Sequence, residues 1–307
     1  MRLFVAVTDN EWYWQLRSRP QQDEVNFWQP GGGRSFQALH PGELLLFKPH
    51  TPHHSIVGGG FFLHASELPC SLAWSFFELG NGASGLWEMR RRIERFRHLS
   101  ENSHRDYEVG CMLLQRPFFF DESDWIPVPD DFSKNVGQGK TYDTSTPAGQ
   151  ALWEAVRLRL EASQPGGIRE AQSQMFGEPA LVHPTLGVGS FQLLITDIYG
   201  RRCAITQQKI LPTLEAAHIR PVGEGGLHRV DNGLLLRSDL RHLFDHGYLS
   251  LDVDRRILVS PMLATEYDDS DTYANLAGWE MTLPVQIEHR PRREFIDWHR
   301  SKVFRQG

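Results

Sequence analysis

His218, Asn232 and His242 follow one another within 25 residues of a 307-residue chain. An imidazole, an amide and a second imidazole at this spacing suit the hydrolysis of a phosphodiester. That reaction needs a base to take a proton from water. It also needs a cation to hold the phosphate and stabilise the leaving oxygen, and a scaffold that keeps the base in line. A neutral imidazole, with an ordinary pKa of about 6.5, can accept a proton at neutral pH, and His218 is the candidate for that role. Asn232 can brace a loop or turn its carbonyl oxygen to a metal; beside Gly233 it also fits a plain turn. Candidate metal ligands are His242, His246, Asp245 and Glu215. His246 lies one helical turn after His242, so the two could face one ion. Alone, His246 would cap a helix C-terminus and interact with its dipole, and His242 would lie on the helix surface. Oxygen and imidazole donors without thiolate favour Mg²⁺ or Mn²⁺ and admit Zn²⁺, Ni²⁺ or Co²⁺. Cys203 has no partner cysteine nearby and reads as a core residue. Arg220 and Arg241 are candidate contacts to the phosphate of such a substrate.

The elements around these residues must hold them in register. Short apolar runs predict strands at Arg202–Ile205 and Glu215–His218. A glycine-bearing loop covers Gly223–Asp231, and a short helix runs over Arg237–His246. Tyr248–Asp252 and Ile257–Ser260 read as a closing hairpin. Upstream, Ser190 would cap a helix over Phe191–Tyr199.

Leu214-Glu215-Ala216-Ala217-His218-Ile219-Arg220-Pro221, then Asp231-Asn232-Gly233-Leu234-Leu235-Leu236-Arg237-Ser238-Asp239-Leu240 and Leu243-Phe244-Asp245-His246-Gly247, resemble the HNH, or ββα-metal, nucleases. The closest pattern is the subgroup reading roughly E-A-A-H-I-x-P, N-G-L-L-L-R-S-D-L and L-F-D-x-G. The likeness extends upstream to Gly187-Val188-Gly189-Ser190-Phe191 and Tyr199–Thr206, and downstream to Pro291–His299. It implies that His218 is the general base, that Asn232 braces the loop or touches the metal, and that the helix supplies a metal ligand. Here the chain departs from the pattern. The subgroup carries histidine four residues before the Phe-Asp aspartate, where this chain has Arg241; its histidine comes one place later, at His242. Adjacent helical residues point about 100° apart, so either the helix is turned or the ligand set differs. Ala217 stands where an acidic residue or histidine often precedes the base, and Glu215 is the candidate substitute.

Residues 1–130 read as β-rich, with strand candidates at Leu3–Val7, Leu44–Phe47, Phe61–Leu63 and Cys111–Leu114. Pro30–Gly33 and Gly58–Gly60 read as turns, and Leu86–Leu99 as a helix. An opening strand that includes Trp12-Tyr13-Trp14, then Phe27-Trp28-Gln29-Pro30 and Gly42–Lys48, weakly resemble the PUA-like superfamily of EVE, ASCH and YTH domains. That resemblance implies a small β-barrel, in several members a reader of a modified base. A flipped base needs flat faces around it and polar groups at its edge. Trp12, Trp28 and Trp74 are candidate faces. Ser35, Lys48, His50, His53 and His54 are candidate edge or phosphate contacts. Aromatic residues in such a domain also serve simply as core.

The fold class expected is thus α+β. A PUA-like barrel would occupy residues 1–145, a helical linker 146–185, and the ββα-metal HNH domain 186–307. The linker would hold one helix from Pro147 to about Ala162 and a second over Ile168–Phe176. Together the halves suggest a metal-dependent, modification-dependent restriction endonuclease acting on double-stranded DNA with modified cytosine, as in defence against phage. A homodimer is expected, because one site per chain cuts one strand. Other readings are an HNH effector switched on by a small ligand in the first domain, a non-catalytic DNA-binding scaffold with a degenerate site, and an RNA target.

The bulk composition fits these readings. A net charge of −6 argues against non-specific coating of nucleic acid, which rests on neutralising phosphates. No apolar stretch approaches the ~20 residues of a membrane span. Three scattered cysteines rule out a disulfide framework and point to a reducing, cytoplasmic setting.

Overall fold

The computed structural model describes residues 1–19, 22–31, 36–98, 105–133, 136–163, 186–268 and 270–307. The chain forms two units, Met1–Pro184 and Thr185–Gly307, and both mix helices with strands.

In the first unit, β1 (Arg2–Thr8) runs into α1 (Asn10–Arg17), followed by β2 (Glu24–Gln29), β3 (Leu44–Pro49), the two-residue β4 (Ser55–Ile56) and β5 (Gly58–Pro69). Next come α2 (Cys70–Phe77), α3 (Leu86–Arg97), β6 (Glu108–Phe119), the short β7 (Ile126–Pro127), β8 (Gly139–Asp143) and α4 (Pro147–Ser163). Six strands form one sheet in the order β2-β6-β5-β3-β1-β8, and β4 and β7 make a separate ribbon. Only β1 and β3 run parallel in that sheet. Alternation along the strands sets the core. Leu3 and Val5 of β1 and Leu44 and Leu46 of β3 pack with Ile56, and with Leu152 and Val156 one turn apart on α4. Full burial of such a side chain stabilises by about 1.5–3 kcal/mol. The start of the expected linker thus packs on the sheet of the first unit, while residues 168–176 lie outside the described residues.

Three expectations for this unit need correction. The barrel is not closed among the described residues: β2 and β8 are the two edges of an open sheet. Helix α1 packs on one face of the sheet, with Trp12 edge-on to Phe27 and Phe47, and Tyr13 against Phe119. Trp12, Tyr13 and Trp14 are therefore helical rather than part of a strand. Asp9 is the reason, since its side chain accepts from the backbone N–H of Trp12 at 2.7 Å and starts the helix. Gly58–Gly60 opens β5 instead of making a turn. A Cβ on Gly59 would lie 2.7 Å from the carbonyl oxygen of Leu45, so these glycines let strands meet closely.

The second unit starts with α5 (Val188–Ile198), then β9 (Leu214–His218), β10 (Gly233–Arg237) and α6 (Ser238–Asp245). A second hairpin, β11 (Leu249–Leu251) with β12 (Ile257–Val259), is followed by α7 (Pro261–Glu266), α8 (Asp271–Ala274) and α9 (Arg293–Lys302). Residues 202–205 form turns instead of a strand, because Ala204 is tied by its N–H to Leu235 O and by its C=O to Thr282 N. Ser190 lies inside α5, which Gly187 precedes. Leu240 and Phe244, four apart on α6, are buried. His299 of α9 stacks on Phe244 with ring centres 3.8 Å apart. Among the described residues, no helix is long and apolar enough to cross a membrane.

Candidate active site

Strands β9 and β10 pair antiparallel, with His218 opposite Gly233 and Glu215 opposite Leu236. His218 therefore stands at the mouth of the hairpin, where the chain enters the 219–232 loop. Asn232 closes that loop. It has no exposed surface, and its Oδ1 accepts from the backbone N–H of Arg220 at 2.9 Å. Its Nδ2 donates to Arg220 O at 2.9 Å and Leu227 O at 3.1 Å. Both groups of its amide are thus spent on backbone.

The His218 ring lies flat on Phe191 of α5, with centres 4.0 Å apart and planes 10° apart. Nε2 of His218 is 2.9 Å from Nδ1 of His228. Burial, the neighbouring His228 and the charge of Arg241 lower the pKa of His218 to about 4. The ring is consequently neutral at pH 7, the form a proton acceptor must have. His228 was not among the sequence candidates. It lies in the glycine-bearing loop, and its signal in the sequence is a third imidazole between two strands whose pairing folds the loop back onto His218.

The positive charge beside His218 belongs to Arg241. Its Nη1 is 2.6 Å from Glu215 Oε2 and its Nε is 3.3 Å from Asp245 Oδ2. The two carboxylates expected as metal ligands thus hold a guanidinium between them. His242 is exposed, with Nδ1 2.6 Å from Ser238 O, and His246 Nδ1 lies 2.8 Å from His242 O. Both expected imidazole ligands are engaged with the backbone of their own helix; His246 is its C-cap. The expected i, i+4 histidine pair on one ion is not formed, because His246 follows the last turn of α6. Among the described residues, no three His, Cys, Asp or Glu side chains come together as a metal cage. As placed, these residues do not fit a divalent ion. Arg220 stacks over Trp298 at 5.4 Å and donates from Nε to Glu224 O.

The other buried imidazole is structural. His299, 2% exposed, must donate from Nε2 to the carbonyl of Phe244, so Nδ1 accepts from Ser250 Oγ at 2.9 Å. Burial lowers its pKa to about 4 as well, against the opposing hydrogen bond to Phe244. Both histidines titrate near 6.5 when unfolded and lower when folded, so the unfolded chain binds more protons in between. Their contribution to stability is complete above pH 6.5 and is lost as pH falls toward 4. The urea midpoint of the second unit is expected to drop between pH 7 and pH 4.5; a level midpoint would contradict these shifts.

In the first unit, Trp12, Phe27, Trp28, His50 and Phe96 line a cavity of about 530 Å³, with Asp9 at its polar side. The indole N–H groups are already used, by Trp12 on Asn26 O and Trp28 on Asn81 O. These rings are walls, not edge donors. Phe96 is 37% exposed and leans on both Trp28 and His50. Trp74 is half-buried on α2, away from the cavity, because the helix turns it elsewhere. His53 packs on Trp125, and His54 is exposed; neither lines the cavity. Lys48, expected at phosphate or a base edge, is buried in β3 at 7% exposure, and desolvation lowers its pKa. Ser35 lies outside the described residues.

Comparison with known proteins adds three findings. Residues 203–252 match the family model described as HNH endonuclease. The ASCH protein from Zymomonas mobilis is 11% identical, with 50% of this chain and 94% of that one covered at a TM-score of 0.34. A structure described as the modification-dependent TagI restriction endonuclease is 12% identical, with 97% and 81% covered at a TM-score of 0.31. No curated protein matches this chain.

Proposed function

We propose that the HNH endonuclease domain of this chain hydrolyses double-stranded DNA selected by the first unit through a modified cytosine. The observation that carries the nuclease reading is His218. It is a neutral imidazole fixed at the hairpin mouth of an HNH segment, with an arginine beside it. His218 takes a proton from water, and the water oxygen bonds to phosphorus. The bond from phosphorus to the sugar oxygen breaks, and that oxygen takes a proton from solvent while His218 returns its own to solvent. Asn232 holds the loop that places His218, as a positioning residue.

Arg241 supplies positive charge to the scissile phosphate, trading Asp245 for a phosphate oxygen, and Arg220 extends the basic side. HNH endonucleases generally use a divalent metal. Glu215 and Asp245 are the oxygen donors that Mg²⁺ or Mn²⁺ would prefer, and binding there requires the Arg241 guanidinium to leave. His242 and His246 would serve an ion only after giving up their backbone partners. Arg241→His, which restores the residue of the subgroup pattern, is therefore expected to tighten Mn²⁺ binding at least about tenfold, or ~1.4 kcal/mol. Titration calorimetry checks this, and unchanged affinity would count against the competition.

The first unit reads the base, as several PUA-like domains do, with Trp12 and Trp28 as the walls of the recognition cavity. Its volume of about 530 Å³ suits a small ligand such as an extruded base. Stacking on an aromatic ring is worth about 1–3 kcal/mol per base. Phe96→Ala is expected to weaken binding of a modified duplex about tenfold while leaving the melting temperature in place; equal binding would remove Phe96 from recognition. A double-strand break takes two chains, one per strand.

The test is cleavage of one plasmid sequence carrying plain cytosine, 5-methylcytosine or 5-hydroxymethylcytosine, with Mg²⁺ or Mn²⁺ and His218→Ala as control. Cutting of a modified plasmid alone, lost in the variant, is the expected result. Equal cutting of all three keeps the nuclease and overturns the cytosine reader. Cutting that appears only with an added small ligand favours a ligand-switched effector.

A further inference from the structure

We infer that His228 is a positioning residue for the base. Its Nδ1 accepts a hydrogen bond from Nε2–H of His218, which leaves Nδ1 of His218 as the bare nitrogen that meets water. This rests on the reading of His218 as the base.

The contact between the two rings is a single short one, 2.9 Å from Nε2 to Nδ1. A shared proton can sit on either side of it. If it sits on His228, then neutral His218 carries its own proton on Nδ1 and has no lone pair to offer outward. If it sits on His218 Nε2, Nδ1 is unprotonated. Among the described residues, His218 Nδ1 has no hydrogen-bond partner. Only the second arrangement gives a base.

The surroundings fix the ring as well as its tautomer. Phe191 stacks on one face of His218, and the His228 ring meets it at 66° with centres 4.8 Å apart. The His228 segment is tied down on both sides: Leu186 N–H donates to His228 O at 2.9 Å, and Asn232 Nδ2 donates to Leu227 O at 3.1 Å. The charged group facing His218 from α6 is Arg241, and α5 contributes the uncharged Phe191. No carboxylate shares a hydrogen bond with either ring among the described residues, so the second imidazole does the orienting.

The bond also favours the reacting state. When His218 takes the proton from water it becomes an imidazolium, and its Nε2–H bond to His228 becomes charge-assisted. Such bonds are roughly twice as strong as neutral ones. An interaction that strengthens as the proton moves lowers the barrier and leaves substrate binding alone.

Two measurements on the full chain test this. Long-range ¹H–¹⁵N correlations of histidine-labelled protein at pH 7 distinguish protonated from bare ring nitrogens. Nε2 of His218 is expected protonated and Nδ1 bare, and the reverse pattern overturns the inference. The second uses a 5-hydroxymethylcytosine plasmid with Mn²⁺. His228→Phe, which keeps an aromatic ring without the acceptor, is expected to lower kcat about 100-fold with KM and melting temperature held. His228→Asn, whose Oδ1 takes the place of Nδ1, is expected to recover most of that loss. Wild-type kcat in His228→Phe, or no recovery in His228→Asn, overturns the inference. His218→Ala separates the two claims. If it is inert while His228→Phe is fully active, only the role of His228 fails; if it cuts like wild type, the base assignment itself fails.

Discussion

Replacing His218 with alanine is expected to slow strand cleavage about 1,000-fold, with KM for DNA changed little. A general base contributes 10²- to 10⁴-fold in typical enzymes. His228 is held beside the ring by the backbone bond from Leu186, and Arg241, the charged side chain that acts on His218, cannot accept a proton. The fold should survive, because the change trims a half-buried side chain at the hairpin mouth and leaves the backbone pairing of β9 with β10 in place. Single-turnover kinetics on a nicked-circle assay read the rate directly, with circular dichroism as the control for folding. A loss of less than tenfold would remove His218 from the chemistry. The same assay across pH should show activity holding well below pH 6.5, since the folded imidazole gains a proton only near pH 4.

Asn232→Ala should be the most destabilising single change in the loop, by about 3 kcal/mol. Three hydrogen bonds are lost at once. The side chain sits at zero exposure, so the backbone groups of Arg220 and Leu227 gain no easy access to water. Each buried group left without a partner costs about 1–3 kcal/mol, partly relieved by movement of the loop. Asn232→Asp should be as damaging despite its shape. It replaces the donor facing two carbonyl oxygens with an acceptor, and places a charge where none is solvated. Urea unfolding followed by tryptophan fluorescence gives the difference. A cost under 1 kcal/mol would show that the loop is held by something else. Activity should fall with stability in both variants, because the loop carries His228 as well.

The local pattern of the second unit was legible because its signals are short-range. The short run of Leu214–His218, the paired Leu234–Leu236 and the amphipathic run into Phe244 are each set within a few residues. The place of His218 followed directly. The partners of His218 were less legible, since they depend on how the 219–232 loop returns, and a loop has no period to read. Arg241 illustrates the limit. The sequence shows an arginine at the subgroup's histidine position, but only the packed helix shows its guanidinium between Glu215 and Asp245. In the first unit, Asp9 outweighed the β-like appearance of Trp12–Trp14 by capping a helix. Lys48 fell inside because β3 is covered on both faces. Trp12 and Trp28 reach one cavity, and Trp74 does not, because strand order and helix facing decide which distant rings meet.

The first unit begins and ends its sheet in the same place. β1 and β8 lie side by side, with Arg2 opposite Asp143. The Met1 ammonium donates to Thr144 Oγ1 at 3.1 Å, and the Thr144 amide donates to Met1 O at 2.9 Å. The first and last strands of the sheet are thus neighbours, although 130 residues of chain separate them. During synthesis β1 therefore waits for its outer partner until Asp143 has been made. Until β8 arrives, β1 is an open edge whose N–H and C=O groups on that side have no strand to pair with, which is the stage at which this sheet is most prone to pair with another chain.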